Sequence, residues 1–134
     1  GNATFIAQLI YEGKMLYLKD ILLPDYTDAE RIGYSAQQQK WCQENEAYVW
    51  RYFIERDMLY STEQKLLSRF VNPAPFSKFY LEIDNESPGR IGAWIGWQII
   101  RSYMKSNDVS LQTMLMTDAK QIFEQSHYKP KKDE

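Results

Sequence analysis

The amino-acid sequence predicts an all-α fold, an irregular bundle of about six helices with one short extended segment. Apolar residues recur three and four positions apart over long windows, which is the spacing of one helix face. Serine and threonine precede several of these windows, where their side chains can cap a first turn. Prolines follow others and forbid continuation of a helix. The 134 residues and the hydrophobic fraction of 44% are ordinary for a chain with one core, so we expect a single domain over residues 1–134.

The first predicted helix covers about residues 3–23 and is apolar on almost all sides, as expected of a central helix. Pro24 ends it. The segment "TDAE", residues 27–30, has the form of a capping box and opens one or two turns that Gly33 ends. Ser35 is the predicted cap of a long helix that reaches about Leu59 and carries a core-facing aromatic stripe.

The second half of the chain is predicted to contain four shorter helices. Their predicted caps are serine and threonine residues: Ser61, Ser87, Ser110 and Thr117. The first of these helices ends at the prolines of "NPAP", residues 72–75, and "KFYLEI", residues 78–83, is the predicted extended segment. Pro88 occupies the first position of the next helix, which continues to about Lys105. Residues 128–134 are predicted to form a charged tail.

Charge and composition exclude several classes of protein. The 16 basic and 18 acidic residues are nearly balanced, so the chain lacks the positive field of a nucleic-acid-binding protein. Cys42 is the single cysteine, which rules out a disulfide within the chain. The longest apolar run, around residues 15–23, is too short and too interrupted to cross a bilayer. Because the sequence opens on Gly1 without an initiator methionine, we expect a soluble fragment of a longer protein.

Familiar catalytic patterns are also missing from the sequence. It contains neither a G-x-S-x-G elbow nor a glycine-rich loop for phosphates or dinucleotides. His127 is the only histidine, close to the end of the chain, where a surface residue is the expected interpretation. A hydrolase triad is therefore not predicted.

The helix "PGRIGAWIGWQIIRSY" carries the first candidate site. Gly92 and Gly96 fall on one face, and their missing side chains allow another backbone to approach, which is a structural role. The functional alternative is that this smooth face forms the wall of a cleft, with Arg90, Trp94 and Trp97 at its rim. Both interpretations are open from the sequence.

Arg90 has a structural alternative as well. The preceding loop, "EIDNE", supplies Glu82, Asp84 and Glu86, and a charge-assisted pair with one of them would hold the loop against the start of the helix. The loop lacks the length and the glycine of a calcium-binding loop, so a solvated loop is favoured.

The first helix carries the second candidate site, a polar stripe on an otherwise apolar surface. Gln8, Glu12 and Lys19 share one side of it at spacings of four and seven. A carboxylate in such a position needs water or a partner, so the stripe is either an exposed edge, a buried network or the lining of a cleft. Gly13 beside it is helix-weakening, which indicates close helix-helix approach.

Several separated blocks of the sequence resemble the C-terminal half of the gliding-motility lipoprotein GldB family of the bacterial cell envelope. These blocks are "LIYEGKMLYLKDILLP", "WCQENEAYVWRYFIERDMLYS", "NPAPFSKFYLEIDNESPGRIGAWIGWQIIRSYM" and "HYKPKK". The resemblance runs through nearly all of the chain. It implies a periplasm-facing lipoprotein as the parent, attached to a membrane only through an upstream lipid anchor.

That family is in turn similar to predicted zinc-dependent, zincin-like proteases, whose H-E-x-x-H helix is followed by an "EG" helix and a helix of the form G-(Y/W)-x-x-G-(Y/W). By this resemblance, Glu12 occupies the third zinc-ligand position and Gly13 lets its helix pack closely against the metal helix. The later motif is matched by Gly92, Trp94, Gly96 and Trp97, allowing for spacing. H-E-x-x-H itself, which supplies two ligands and the general base, is absent from this sequence.

Three functions follow as alternatives. The favoured prediction is a non-catalytic accessory of the cell envelope that binds a protein or peptide partner in an aromatic groove. The residues that this prediction assigns to the cleft are Gln8, Glu12, Arg90, Trp94 and Trp97. The enzyme alternative is a fragment of a zinc peptidase, in which zinc belongs to the parent protein and Glu12 is a ligand. The third alternative is a purely structural module. No cofactor is expected in this chain.

Overall fold

A computed structural model describes residues 3–131, which form seven α-helices and one 3-10 helix. The α-helices are α1 (Phe5–Leu22), α2 (Asp28–Ile32), α3 (Ala36–Glu55), α4 (Lys65–Phe70), α5 (Ile91–Ser106), α6 (Leu111–Met116) and α7 (Ala119–Ser126), and the 3-10 helix is Glu82–Asn85. The described residues contain no β-strand. The predicted all-α fold is therefore confirmed, whereas the ends of the predicted domain and tail, residues 1, 2 and 132–134, lie outside the described residues.

Three of the six predicted helix caps are present. The side chains of Thr27, Ser35 and Ser110 accept hydrogen bonds from backbone N–H groups in the first turn of their helices. Thr4, for which no cap is predicted, does the same for α1. The prediction for Thr117 is wrong by one residue. Asp118 caps α7, where its carboxylate accepts from the Gln121 N–H at 2.9 Å. The Thr117 hydroxyl instead donates to the carbonyl of Thr113 in the preceding helix.

Two helices begin later than predicted. The carbonyl oxygen of Ser61 accepts from the Phe5 N–H, and α4 starts only at Lys65. The helix predicted from Ser87 starts at Ile91, after Arg90, whose φ of 63° lies in the left-handed region. Ser87 is completely buried instead, and its hydroxyl donates to the carbonyl of Ser77 at 3.1 Å. Ser61 therefore binds the start of α1, and Ser87 binds Ser77 in the loop before α5. Neither caps the helix predicted to begin there.

The predicted extended segment, residues 78–83, forms no strand. Its last two residues belong to the 3-10 helix, and the only β-bridge of the described residues joins Phe76 to Pro88. The carboxylate of Asp84 accepts from the N–H groups of Phe79 and Tyr80, at 2.7 and 3.0 Å. These two bonds satisfy the backbone donors that a neighbouring strand would otherwise have paired.

The core lies where α1 crosses α5. A Cβ atom built on Gly96 would overlap the carbonyl oxygen of Leu9, and one built on Gly13 would overlap the carbonyl oxygen of Gly96. A Cβ on Gly92 would meet the Leu9 side chain at 2.7 Å and the carbonyl oxygen of Phe70 at 2.9 Å. Gly13 and Gly96 therefore lie where α1 and α5 are in backbone contact, whereas Gly92 lies against the Leu9 side chain and the end of α4.

Aromatic rings fill the space between this crossing and the neighbouring helices. Five of them make edge-on or tilted contacts with centroids 4.9–6.4 Å apart: Phe5, Tyr52, Phe53, Phe70 and Phe79. All five are buried, and such pairs contribute beyond the apolar area that they remove from water. The cluster joins α1, α3 and α4 to the loop before α5.

Candidate functional site

An internal carboxyl group lies at the middle of α3. Glu46 follows Cys42 by four residues on the core-facing side of the helix. Its Oε1 accepts from the Trp94 indole N–H at 3.1 Å, and its Oε2 accepts from the Tyr128 hydroxyl at 2.8 Å. Burial raises the pKa of Glu46, and these two hydrogen bonds offset only part of that effect. The carboxyl therefore connects α3 to α5 and to the segment after α7.

Cys42, one helical turn before Glu46, is buried, and Tyr34 in front of α3 is half-buried. The Tyr34 hydroxyl donates to the Gly89 carbonyl at 2.6 Å, and its ring stacks on that of Trp94 at an angle of 28° with centroids 6.5 Å apart. Burial raises the pKa of the Tyr34 hydroxyl and of the Cys42 thiol. Because the thiol stays protonated at neutral pH, Cys42 packs as a small apolar residue and is not a nucleophile.

A pocket of about 510 Å³ opens above the internal carboxyl, between α3, α5 and the segment after α7. We call it the α5 pocket. One stripe of α5 forms its floor, with side chains four, seven and eleven positions apart: Trp94, Gln98, Arg101 and Lys105. Glu46 of α3 also lines the pocket. Tyr128, Lys129 and Lys131, from the segment after α7, line its remaining side. Most residues that line the pocket are thus polar, and Trp94 and Pro130 are the apolar ones.

A second pocket of about 590 Å³ lies on the other side of the same segment. We call it the aromatic groove. Tyr48, Trp50 and Arg51 of α3 line one side, and Tyr128 and Pro130 line the other. The Trp50 and Tyr128 rings meet edge-on at 5.0 Å. Residues 128–130 line both pockets, so the end of the described chain separates them.

A charged network ties α5 to α1 and α2 beside the α5 pocket. The Arg101 guanidinium donates four hydrogen bonds of 2.8 to 2.9 Å to the carboxylates of Asp20 and Asp28. Arg31 binds the same two carboxylates, at 3.3 and 3.1 Å. Hydrogen bonds from Arg101 are the main cause that lowers the pKa of Asp28. The Arg101 guanidinium also lies 3.9 Å from the centroid of the Trp97 ring.

The structure separates the residues predicted to line a cleft on α5. Trp94 is 2% exposed and lies in the floor of the α5 pocket, whereas Trp97 is 0% exposed and donates to Asp20. The face that carries Gly92 and Gly96 is not open, because α1 covers it. Arg90 donates to the carbonyl of Ile32 at 3.0 Å. Within residues 3–131 it forms no ion pair with the acidic loop, so that alternative is wrong.

Gln8 and Glu12 lie elsewhere. Both are half-buried on α1, and neither lines the α5 pocket or the aromatic groove. Lys19 of the same stripe donates to the Arg31 carbonyl at 3.0 Å. Residues 3–131 contain no group of three or more His, Cys, Asp or Glu side chains that could hold a metal ion. The described residues therefore do not fit zinc at Glu12, and that role stays a prediction about the parent protein.

Sequence reasoning missed Glu46, Gln98, Arg101 and Tyr128. A signal existed for Glu46, since it shares the helical stripe of Cys42, Val49 and Phe53, all of which are 0% exposed. A carboxyl in such a stripe requires hydrogen-bond donors from elsewhere. Tyr128 gave no signal, because it falls in a segment whose composition indicates a charged tail.

The fold and the pockets define a helical domain with a closed core and surface depressions large enough to bind a ligand, the aromatic groove and the α5 pocket among them. Residues 1–130 match the family model described as Gliding motility protein GldB. Because the match covers almost the entire sequence, the chain belongs to the GldB family of gliding-motility lipoproteins. No curated protein and no solved structure gave a match. In the part of the chain that the structure describes, no helix is long and apolar enough to cross a membrane.

The internal carboxyl predicts a pH dependence of stability. Above its raised pKa, Glu46 is ionised in a site that disfavours the charge, so its contribution to stability improves as pH falls toward the ordinary value of 4.5. Glu46→Gln should therefore be more stable than the parent at pH 8, with a difference that shrinks on acidification. Urea unfolding between pH 4.5 and 8 measures this.

Glu46→Leu is the matched control, because it leaves the Trp94 N–H and the Tyr128 O–H without an acceptor. We expect it to cost about 1–3 kcal/mol at pH 4.5 and less at pH 8, because it also removes the charge that the site disfavours. If Glu46→Gln and the parent show the same pH profile, the carboxyl is not held in the environment described above.

Proposed function

We propose that this domain is a non-catalytic accessory of the gliding machinery in the cell envelope, and that it binds a protein or peptide partner in the aromatic groove. Membership of the GldB family supports the gliding role and the envelope location. In this proposal the parent protein faces the periplasm, and an upstream lipid anchor supplies its membrane attachment. The proposal requires no cofactor in this chain and no nucleic acid.

The observation that carries the binding role is the lining of the groove. Tyr48 is 36% exposed at its edge, and the rings of Trp50 and Tyr128 form its base. Aromatic side chains are enriched where proteins bind partners, because they offer a large rigid contact area at low cost in side-chain entropy. Pro130 adds a rigid apolar wall.

The charged residues of the aromatic groove restrict the kind of peptide that it can bind. Arg51 and Lys129 line the groove, and the Arg51 guanidinium lies 5.7 Å from the centroid of the Tyr48 ring. Glu44 is the acidic residue of the lining. A peptide that inserts an apolar or proline side chain between the rings and carries an acidic residue beside it would match this surface.

The test is a point variant in a gliding host that carries this gene. Tyr48→Asp places a charge at the edge of the groove without touching the core, so we expect gliding speed on glass to fall at least about tenfold, as for loss of an anchor residue. Immunoblotting shows whether the protein remains at parental abundance.

Tyr60→Asp is the matched control, because Tyr60 is 69% exposed and does not line the groove. We expect it to glide at parental speed. Parental gliding by Tyr48→Asp at parental abundance would show that the groove is not the partner site.

A further inference from the structure

We propose that the α5 pocket binds a small organic carboxylate, at a site separate from the aromatic groove. The first observation is the side-chain amide of Gln98. Gln98 lines the pocket, and its side-chain nitrogen is buried and has no hydrogen-bond acceptor among residues 3–131. A buried donor without an acceptor costs free energy, and a ligand oxygen would remove that cost.

The second observation is the charge around the opening. Lys105 of α5 and Lys129 and Lys131 of the last segment line the pocket. Within the described chain, none of the three lies within salt-bridge distance of a carboxylate. Three uncompensated ammonium groups around one depression attract an anion.

The carboxylates of the pocket are already occupied. Asp28 binds Arg101 and Arg31, and both oxygens of Glu46 accept hydrogen bonds from Trp94 and Tyr128. Neither is therefore placed to neutralise the lysines. The Arg101 guanidinium is likewise committed, since Asp20 and Asp28 take four of its five N–H donors. The free charge at the mouth of the pocket is positive.

The size and the walls of the pocket favour an organic anion over a bare inorganic one. A volume of about 510 Å³ exceeds what a single sulfate or phosphate fills, and it lies within the range of small-molecule sites. Pro130 and the ring of Tyr128, both half-buried, supply apolar surface beside the lysines and the Gln98 amide. A carboxylate on a short carbon framework can contact both, with its oxygens on the amide and the ammonium groups.

The experiment is an NMR titration of the ¹⁵N-labelled chain with glutarate. We expect saturable shifts of the Gln98 side-chain amide and of the backbone amides of Lys105 and Lys129. Lys105→Gln should weaken binding about three- to fivefold, the size of one partly exposed charge interaction. Lys120→Gln is the matched control, because Lys120 is an exposed residue of α7 that does not line the pocket, and it should bind as the parent does.

Gln98→Leu separates a binding role from a structural one. It removes the unpaired donor, so its melting temperature should equal or exceed that of the parent while glutarate binding is lost. A lowered melting temperature together with unchanged glutarate affinity would assign the amide to the fold and overturn the proposal.

Two further titrations identify the chemical class of the ligand. Glutaramide, which is neutral and of the same size, should cause no saturable shift. If sulfate shifts the same resonances with the same affinity as glutarate, the pocket does not select a carboxylate and the proposal is overturned. If glutarate causes no shifts, the proposal is overturned as well. The result is independent of gliding, because Tyr48→Asp leaves the α5 pocket intact and should bind glutarate normally.

Discussion

Replacing Gly96 with alanine is expected to lower the free energy of unfolding by about 3 kcal/mol or more, beyond most overpacking substitutions. The added Cβ atom would overlap the backbone carbonyl of Leu9, and a backbone atom cannot move aside as the end of a side chain can. Gly13→Ala should cost a similar amount, because its Cβ would overlap the Gly96 carbonyl and lie 2.8 Å from the Trp97 nitrogen. Urea denaturation followed by circular dichroism measures both.

Two other glycines give a graded control. Gly92→Ala should be less damaging, because its Cβ would lie 2.7 Å from a Leu9 methyl group, which can rotate, and 2.9 Å from the Phe70 carbonyl oxygen, without the backbone overlap that Gly96→Ala creates. In Gly33→Ala the added Cβ atom has no neighbour within 4 Å. Its cost is only the backbone strain of a residue other than glycine at φ +82°, about 1 kcal/mol. If Gly96→Ala is no more destabilising than Gly33→Ala, the backbone contact of α1 and α5 is not as described.

Replacing Arg101 with methionine is the second large effect that we expect. Asp20 and Asp28 would lose four hydrogen bonds and keep only Arg31 as a cationic partner. The three side chains are 16–26% exposed, so water screens part of the loss, and we expect a cost of about 1–3 kcal/mol at pH 7. Lys40→Met is the control, since the Lys40–Glu44 pair is exposed on both sides and should contribute little.

The same variant should change the response to acid. The pKa of Asp28 is lowered in the fold, so its contribution to stability is fully present above its ordinary value of 3.8 and is lost as pH falls through the lowered pKa. Arg101→Met removes most of that contribution at every pH. The stabilities of variant and parent should therefore converge as pH falls below 3.8, and a difference that stays constant with pH would contradict the role given to Asp28.

The sequence determines much of the fold for identifiable physical reasons. The caps of α2, α3 and α6 act within one turn, so local chemistry is sufficient to predict them. Ser87 could not be assigned this way. Whether a serine caps a helix or holds a loop depends on a distant partner, here Ser77, and both uses look the same in sequence.

The candidate site shows the same limit. Gly92 and Gly96 indicate a surface that something approaches closely, but their spacing does not reveal whether a ligand or another helix does so. Glu46 lies in a core stripe, yet its donors come from α5 and from the segment after α7. Lysine side chains of that segment reach the α5 pocket only because Tyr128 is held against α3. Each of these facts is a tertiary relation between remote parts of the chain.

The crossing of α1 and α5 also constrains how the chain can fold. Leu9 and Gly96 are in contact, although most of the sequence lies between them. A contact of this kind closes a long loop before it gains any packing energy, which slows the rate-limiting step. During synthesis the apolar face of α1 therefore remains uncovered until α5 has left the ribosome. We expect a late, cooperative folding transition, with nascent chains that end before α5 remaining sensitive to protease.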